Sequence, residues 1–294
     1  MDFNTAEELL SLSESGLSIA DIMRNREIVQ GETDAATVEE KMKKALKIMR
    51  ESAHKPLEKV FPSTGGLIGG EAAKLSEHAK SGKSICGSVM TKALIYSQAV
   101  PEVNASMGVI VAAPTAGSSG VVPAVLFALA EDFNLDEKTM LDGLFTAGAV
   151  GYLLMKHASV SGAQAGCQAE VGSASAMAAA MAVVMMGGSA AQALDAASIA
   201  LSNLLGLVCD PIAGLVEAPC QSRNAVGAAN ALTAAEMALS GIKAVVPFTE
   251  MMQAMYRVGC KLPSELRETA LGGCATTPTG CAHNCRIFGG CGKD

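Results

Sequence analysis

The chain has 294 residues, half of them hydrophobic, yet only 3% are aromatic and tryptophan is absent. A formal charge of −7 and a pI near 5.2 exclude the basic face that nucleic acid demands, and no Lys/Arg-rich run marks a polybasic membrane anchor. The opening MDFNTAEELLSLSES is acidic and polar, unlike a secretory signal, and nine cysteines make no even disulfide framework, so a reducing cytoplasm is the expected setting.

Residues 1–60 read as amphipathic helices. Ser18-Ile19-Ala20-Asp21 and Thr37-Val38-Glu39-Glu40 have the form of N-terminal caps. After Thr37, the residues Val38, Met42, Ala45, Met49 and Ala53 recur at helical spacing, with Glu39, Lys43, Lys47 and Arg50 on the other face. FPSTGGLIGG (61–70) is a Gly-rich loop, a short helix is expected over Glu71 to Lys80, and 81–88 returns to loop. Beyond residue 89 the pattern predicts long, weakly charged helices over 89–100, 121–132, 136–156, 173–186, 190–207, 224–240, 246–259 and 263–271. Ser189-Ala190-Ala191-Gln192 is a capping box for the fifth of these. Strand-like alternation is confined to Met107–Ala113, and the Cys-rich tail, 272–294, is expected to be irregular.

Val103–Ala130 and Val171–Leu194 carry no charge, and about 20 apolar residues suffice to span a bilayer. The first is broken by APTAGSSG and the second by Gly187-Gly188-Ser189, and no Trp/Tyr belt accompanies either. Both are expected to be buried helices of a soluble protein. The fold expected is predominantly all-α, one compact multi-helix domain over 1–294. It divides into amphipathic helices (1–80), an apolar helical core carrying the site on Gly/Pro-rich loops (81–271), and the tail (272–294).

Three cysteines stand in well-defined settings: Cys167 in GCQAEVG, and Cys209 and Cys220 in CDPIAGLVEAPC. Pro211 and Pro219 restrict the backbone around the last two, so their thiols are aimed by a rigid loop. Thiolates are the usual ligands of iron–sulfur clusters, and three of them would leave one iron of a four-iron cluster open to substrate. A free cysteine is also simply a small buried residue. The tail offers a rival set, Cys274, Cys281, His283, Cys285 and Cys291, compact enough around Cys281–Cys285 for zinc or a cluster.

Ala113–Gly120 (APTAGSSG) runs into an apolar helix, so its amides and the hydroxyls of Ser118 and Ser119 suit a carboxylate. It is neither a phosphate-binding P-loop nor a G-x-S-x-G elbow. Arg223, three residues after Cys220, is placed to hold a carboxylate in bidentate fashion. Lys156 ends an apolar helix, where a lysine commonly meets the helix dipole and, less commonly, forms a Schiff base. No residue announces a general base.

GCQAEVG, CDPIAGLVEAPC with QSRNA, APTAGSSGVVPAV and RETALGG occur together in this chain. With them it resembles the iron–sulfur-dependent L-serine dehydratase (L-serine ammonia-lyase) family, and more closely the alpha subunit of the two-subunit form, over about residues 15–280. The resemblance implies an oxygen-sensitive [4Fe–4S] cluster on Cys167, Cys209 and Cys220, and conversion of L-serine to pyruvate and ammonia in amino-acid degradation and gluconeogenesis. Single-chain relatives place a cysteine near the C-terminus on the fourth iron, a position for which Cys281 and Cys291 are the candidates here. They also carry an SSSHT motif in an N-terminal domain, absent from this chain, so a beta subunit and an oligomeric, cytoplasmic enzyme are implied. The competing readings are a pyridoxal-phosphate dehydratase using Lys156 and a non-catalytic helical membrane or scaffold protein.

Overall fold

The computed structural model describes residues 2–289, and these form thirteen α-helices and no β-strand. The N-terminal layer is α1 (Ala6–Glu14), α2 (Ile19–Gln30) and α3 (Ala35–Glu58). Ser18 caps α2 as expected, accepting from the Asp21 amide. The α3 cap is Asp34 rather than Thr37: its carboxylate accepts the Thr37 N–H at 2.7 Å, so the helix begins two residues before Thr37. A carboxylate both caps the free amides and complements the positive helix end.

After the Gly-rich loop come α4 (Glu71–Lys80), α5 (Gly87–Ala105), α6 (Val121–Asp132) and α7 (Glu137–His157). The one-turn α8 (Gly162–Ala165) precedes α9 (Ser173–Met185), followed by α10 (Ala190–Asn203), α11 (Cys220–Leu239), α12 (Phe248–Lys261) and α13 (Pro278–Phe288). The capping box of α10 is complete, with Ser189 and Gln192 exchanging hydrogen bonds.

The centre of the fold is α9. Its sequence, SASAMAAAMAVVM, has no polar stripe to offer water, and every residue except Val184 is buried. The flanking helices α6, α7, α10 and α11 all pack on it. The only stretch long and apolar enough to cross a membrane among the described residues is Gln168–Met185, and 89% of it is buried inside the protein. Its apolar surface therefore faces other helices rather than lipid.

Three expected elements differ. Residues 263–271 form only a 3₁₀ turn, Ser264–Leu266, after which Glu268 (φ +64°) and Ala270 (φ +57°) take left-handed backbone. The chain leaves the helix there because Cys209 pairs with it: the Cys209 amide donates to Leu266 O at 2.8 Å and the Glu268 amide to Cys209 O at 2.7 Å. The tail is not irregular throughout, since Thr277 caps α13 and Pro278 occupies its first turn, both ordinary helix-start signals. Met107–Ala113 pairs with no neighbouring strand.

Candidate active site

The thiols of Cys167, Cys209 and Cys220 come from three segments and lie within electrostatic reach of one another. Cys167 directly precedes a five-residue π-helix, Gln168–Gly172, that runs into α9. Such widened turns recur at functional sites, because the extra residue redirects side chains that a regular helix would bury. Gln168 locks the turn. Its amide group donates to Ala165 O and Met255 O at 3.0 Å each, and its oxygen accepts from the Gly206 N–H at 2.9 Å. The loop that leads to Cys209 is thereby tied to the turn that carries Cys167. Cys220 is the first residue of α11, held by a reciprocal pair in which the Gln98 and Gln221 amides each donate to the other's backbone carbonyl, at 3.1 and 3.2 Å.

All three cysteines are buried. Burial pushes the Cys167 thiol up to about 12, with the Arg223 charge pulling the other way. Burial, then the charges of Cys167 and Glu170, pushes Cys220 up to about 12. Cys209 is raised further, by burial first and then by Cys167, Glu170, Glu268 and Cys220. Each sulfur thus lies within electrostatic reach of at least one other, and none is cheaply ionised without a cation beside it.

Glu170, inside the π-helix, is the nearest carboxylate. Burial raises its pKa, against a hydrogen bond from Thr115 at 2.7 Å, and its Oε2 is 3.9 Å from Cys209 Sγ. The carboxylates of Glu170 and Glu268 and the sulfur of Cys209 have ligand atoms within 4.8 Å of one another. Gly162 makes this approach possible: a Cβ there would stand 2.6 Å from Glu170 Oε2 and 3.2 Å from Cys209 Sγ. Neither glutamate stands out in the sequence, because one lies within an apolar run and the other in a stretch that reads as helix.

Arg223 lies among these groups, as its spacing from Cys220 suggests. Its guanidinium pairs with Asp210 at 2.6 Å and donates to Val208 O at 2.8 Å. Burial disfavours its charge, but Cys167 and Asp210 outweigh that and raise its pKa. Ser118 and Ser119 are fully buried. Ser118 Oγ is 3.1 Å from the Thr115 hydroxyl, beside Glu170, whereas Ser119 donates to Ala116 O at 2.7 Å within its own turn. Asn224 binds the loop to α11, accepting from the Gly120 N–H at 2.9 Å and donating to Gly117 O at 2.8 Å and Cys220 O at 2.9 Å.

Glu217, three residues before Cys220, is also buried. It accepts from Ser63 Oγ at 2.7 Å, the Gly65 amide at 2.6 Å and the Leu67 amide at 2.9 Å. Arg286 of α13 also holds this loop, donating to Gly65 O at 3.2 Å. The Gly-rich loop is therefore clamped to the segment that delivers Cys220.

Other candidates fall outside this centre. Lys156 is exposed at the end of α7, bonded to Asn4 and to the Tyr152 hydroxyl at 3.2 Å, without the desolvation a Schiff-base lysine uses. Cys281 is exposed on α13, and Cys291 lies outside the described residues. Among the described residues, Cys274, Cys281, His283 and Cys285 do not converge as a metal-holding set. A cavity of about 680 Å³, lined by Met90, Leu129, Phe133 and Met186 among others, includes none of the three buried thiols.

The donor set fits an iron–sulfur cluster. It is soft, comes from three separate backbone segments and is desolvated, so the cost of three thiolates is offset only by a strongly bound cationic group.

Fold and site together define an all-α protein with a buried thiol–carboxylate centre. The chain belongs to the serine dehydratase alpha chain family, whose profile matches residues 14–275. It is 48% identical over 289 residues to a probable L-serine dehydratase, alpha chain, of Bacillus subtilis, covering 98% of this chain and 96% of that one. With the L-serine dehydratase, alpha chain, of Peptoniphilus asaccharolyticus it shares 47% over 278 residues, 94% and 95% of the two. The L-serine dehydratase of Helicobacter pylori (strain 26695) is 38% identical over 284 residues, which take up 94% of this chain but 62% of that longer one.

Proposed function

We propose that this chain is the cluster-bearing subunit of a cytoplasmic L-serine dehydratase, which converts L-serine to pyruvate and ammonia with a [4Fe–4S] cluster held by Cys167, Cys209 and Cys220. The observation that supports the reading is three buried thiols within electrostatic reach of one another, with Glu170 and Arg223 in the same surroundings, in a member of the serine dehydratase alpha chain family. When bound, the cluster supplies a Lewis-acidic iron that turns the serine hydroxyl into a better leaving group.

The chain's own residues bind, orient and exclude water. Arg223 keeps its charge among the thiols and draws the substrate carboxylate toward that side of the site. Ser118, paired with Thr115, offers it a hydroxyl, and Ser119 holds the turn that presents both. Loss of the Cα proton and of the β-hydroxyl as water gives 2-aminoacrylate, whose imine tautomer hydrolyses to pyruvate and ammonia. The alpha-chain names of the Bacillus subtilis and Peptoniphilus asaccharolyticus relatives support a second, beta chain that completes the enzyme.

Anaerobic purification with the candidate beta chain, followed by iron and sulfide analysis, tests the reading. Changing Cys167, Cys209 or Cys220 to Ala is expected to remove the iron and the pyruvate-forming activity together. Full iron content and full activity in any of the three variants would refute the assignment.

A further inference from the structure

Of the motifs in the sequence, RETALGG (267–273) supplies none of the cysteine ligands, yet it reaches the same centre. Its Glu268 is exposed and has a left-handed backbone (φ +64°), held by its amide's bond to Cys209 O at 2.7 Å. That placement brings its carboxylate within 4.8 Å of both Cys209 Sγ and the Glu170 carboxylate. Cys209 itself is only 3% exposed, and its sulfur lies 3.9 Å from Glu170 Oε2. An exposed carboxylate, that of Glu268, thus reaches Cys209 alongside the half-buried one of Glu170.

Arg223 pairs with Asp210 at 2.6 Å and donates to Val208 O at 2.8 Å, and it forms no ion pair with Glu170 or Glu268. An amino-acid substrate brings three groups to such a site. Its hydroxyl goes to the cluster and its carboxylate to the Arg223–Ser118 side, which leaves the α-ammonium for the acidic side.

Resting on the dehydratase reading above, we propose that Glu268, seconded by Glu170, receives the substrate's α-ammonium and makes the site select a β-hydroxy amino acid over the corresponding hydroxy acid. Glu268 is the better test because it is exposed and supplies no proposed cluster ligand.

The test uses the anaerobic, cluster-loaded enzyme with its partner chain. KM and kcat for L-serine, Ki for glycerate and iron per chain are measured for wild type, Glu268→Gln, Glu268→Asp and the control Glu265→Gln, an exposed acid on the same loop. Removing one charged acceptor is expected to raise the Glu268→Gln KM for L-serine roughly 10- to 100-fold. Its kcat should stay within about 3-fold and its iron content and glycerate Ki should be unchanged, since glycerate has no ammonium to lose. Glu268→Asp should recover most of the KM, and Glu265→Gln should match wild type. An unmoved KM in Glu268→Gln, an equal weakening of glycerate, or loss of iron would each overturn the ammonium assignment. A wild-type holoenzyme that makes no pyruvate from L-serine would instead overturn the dehydratase reading, and this inference with it.

Discussion

Glu217→Gln should destabilise the protein out of proportion to a one-atom change. Glu217 Oε1 accepts the Gly65 N–H at 2.6 Å, while Oε2 accepts both the Ser63 hydroxyl at 2.7 Å and the Leu67 N–H at 2.9 Å. Both oxygens are used, and all three donors lie about 150 residues away in sequence. Glutamine keeps one oxygen. Its best orientation places that oxygen in the two-donor position and turns the NH₂ toward the Gly65 N–H, donor against donor. The backbone cannot retreat easily, since Gly65 lies so close that a Cβ on it would sit 2.4 Å from Leu215 Cδ1, and Arg286 also holds the Gly65 carbonyl. Losing a charge-assisted hydrogen bond at a buried site costs about 1.5–3 kcal/mol. For a chain of this size that amounts to a fall in Tm of roughly 2–5 °C, read by differential scanning calorimetry. On the dehydratase reading the variant should also bind less iron, because Cys220 follows three residues later. A Tm within about 1 °C of wild type would show that the clamp contributes nothing to stability and that the loop is held by other means.

Glu131→Gln should show a pH-dependent loss of stability. Burial raises the Glu131 pKa, but hydrogen bonds from His54, Tyr96 and Lys92 outweigh it and lower the pKa from an ordinary 4.5 to about 2. The folded value lies below the unfolded one, so the stabilisation is complete above about pH 4.5 and is lost as pH falls toward 2. Because the carboxylate is 32% exposed, water screens the effect to about 1–2 kcal/mol. Urea titrations at pH 7 and pH 3 should show the gap between wild type and variant narrowing at the lower pH, and a constant gap would contradict the assignment. Asn224→Ala removes one acceptor and two donated bonds at a fully buried position, leaving the Gly120 N–H unpaired. It should cost about 2–4 kcal/mol by chemical denaturation, and a cost near zero would mean that water replaces the amide.

Local order was plainly written in the sequence wherever it depends on near neighbours. Ser18 and the Ser189–Gln192 box cap the helices they were expected to cap, and the uncharged run after Val171 is the buried α9. The three cysteines could be singled out because prolines and glycines surround them. Elements set by distant partners were not legible. Residues 263–271 have helical composition, yet pairing with Cys209, more than 50 residues earlier, pulls them into extended and left-handed backbone. Glu170, Glu217 and Glu268 acquire their roles only when Thr115, Ser63 and Cys209 are brought alongside, and no spacing rule announces such meetings. The start of α13 was a different kind of miss, since Thr277-Pro278 is a local signal that the surrounding cysteines and glycines obscured.

Because α9 has neighbours on every flank, it behaves as a fixed axle, and the sulfur at its leading end inherits that immobility. On the dehydratase reading, a substrate would enter past the stretch around Ala112–Gly117 and the Arg267–Gly273 turn, which meet solvent along part of their length. Variants that stiffen either segment should slow traffic through the centre and leave the axle untouched.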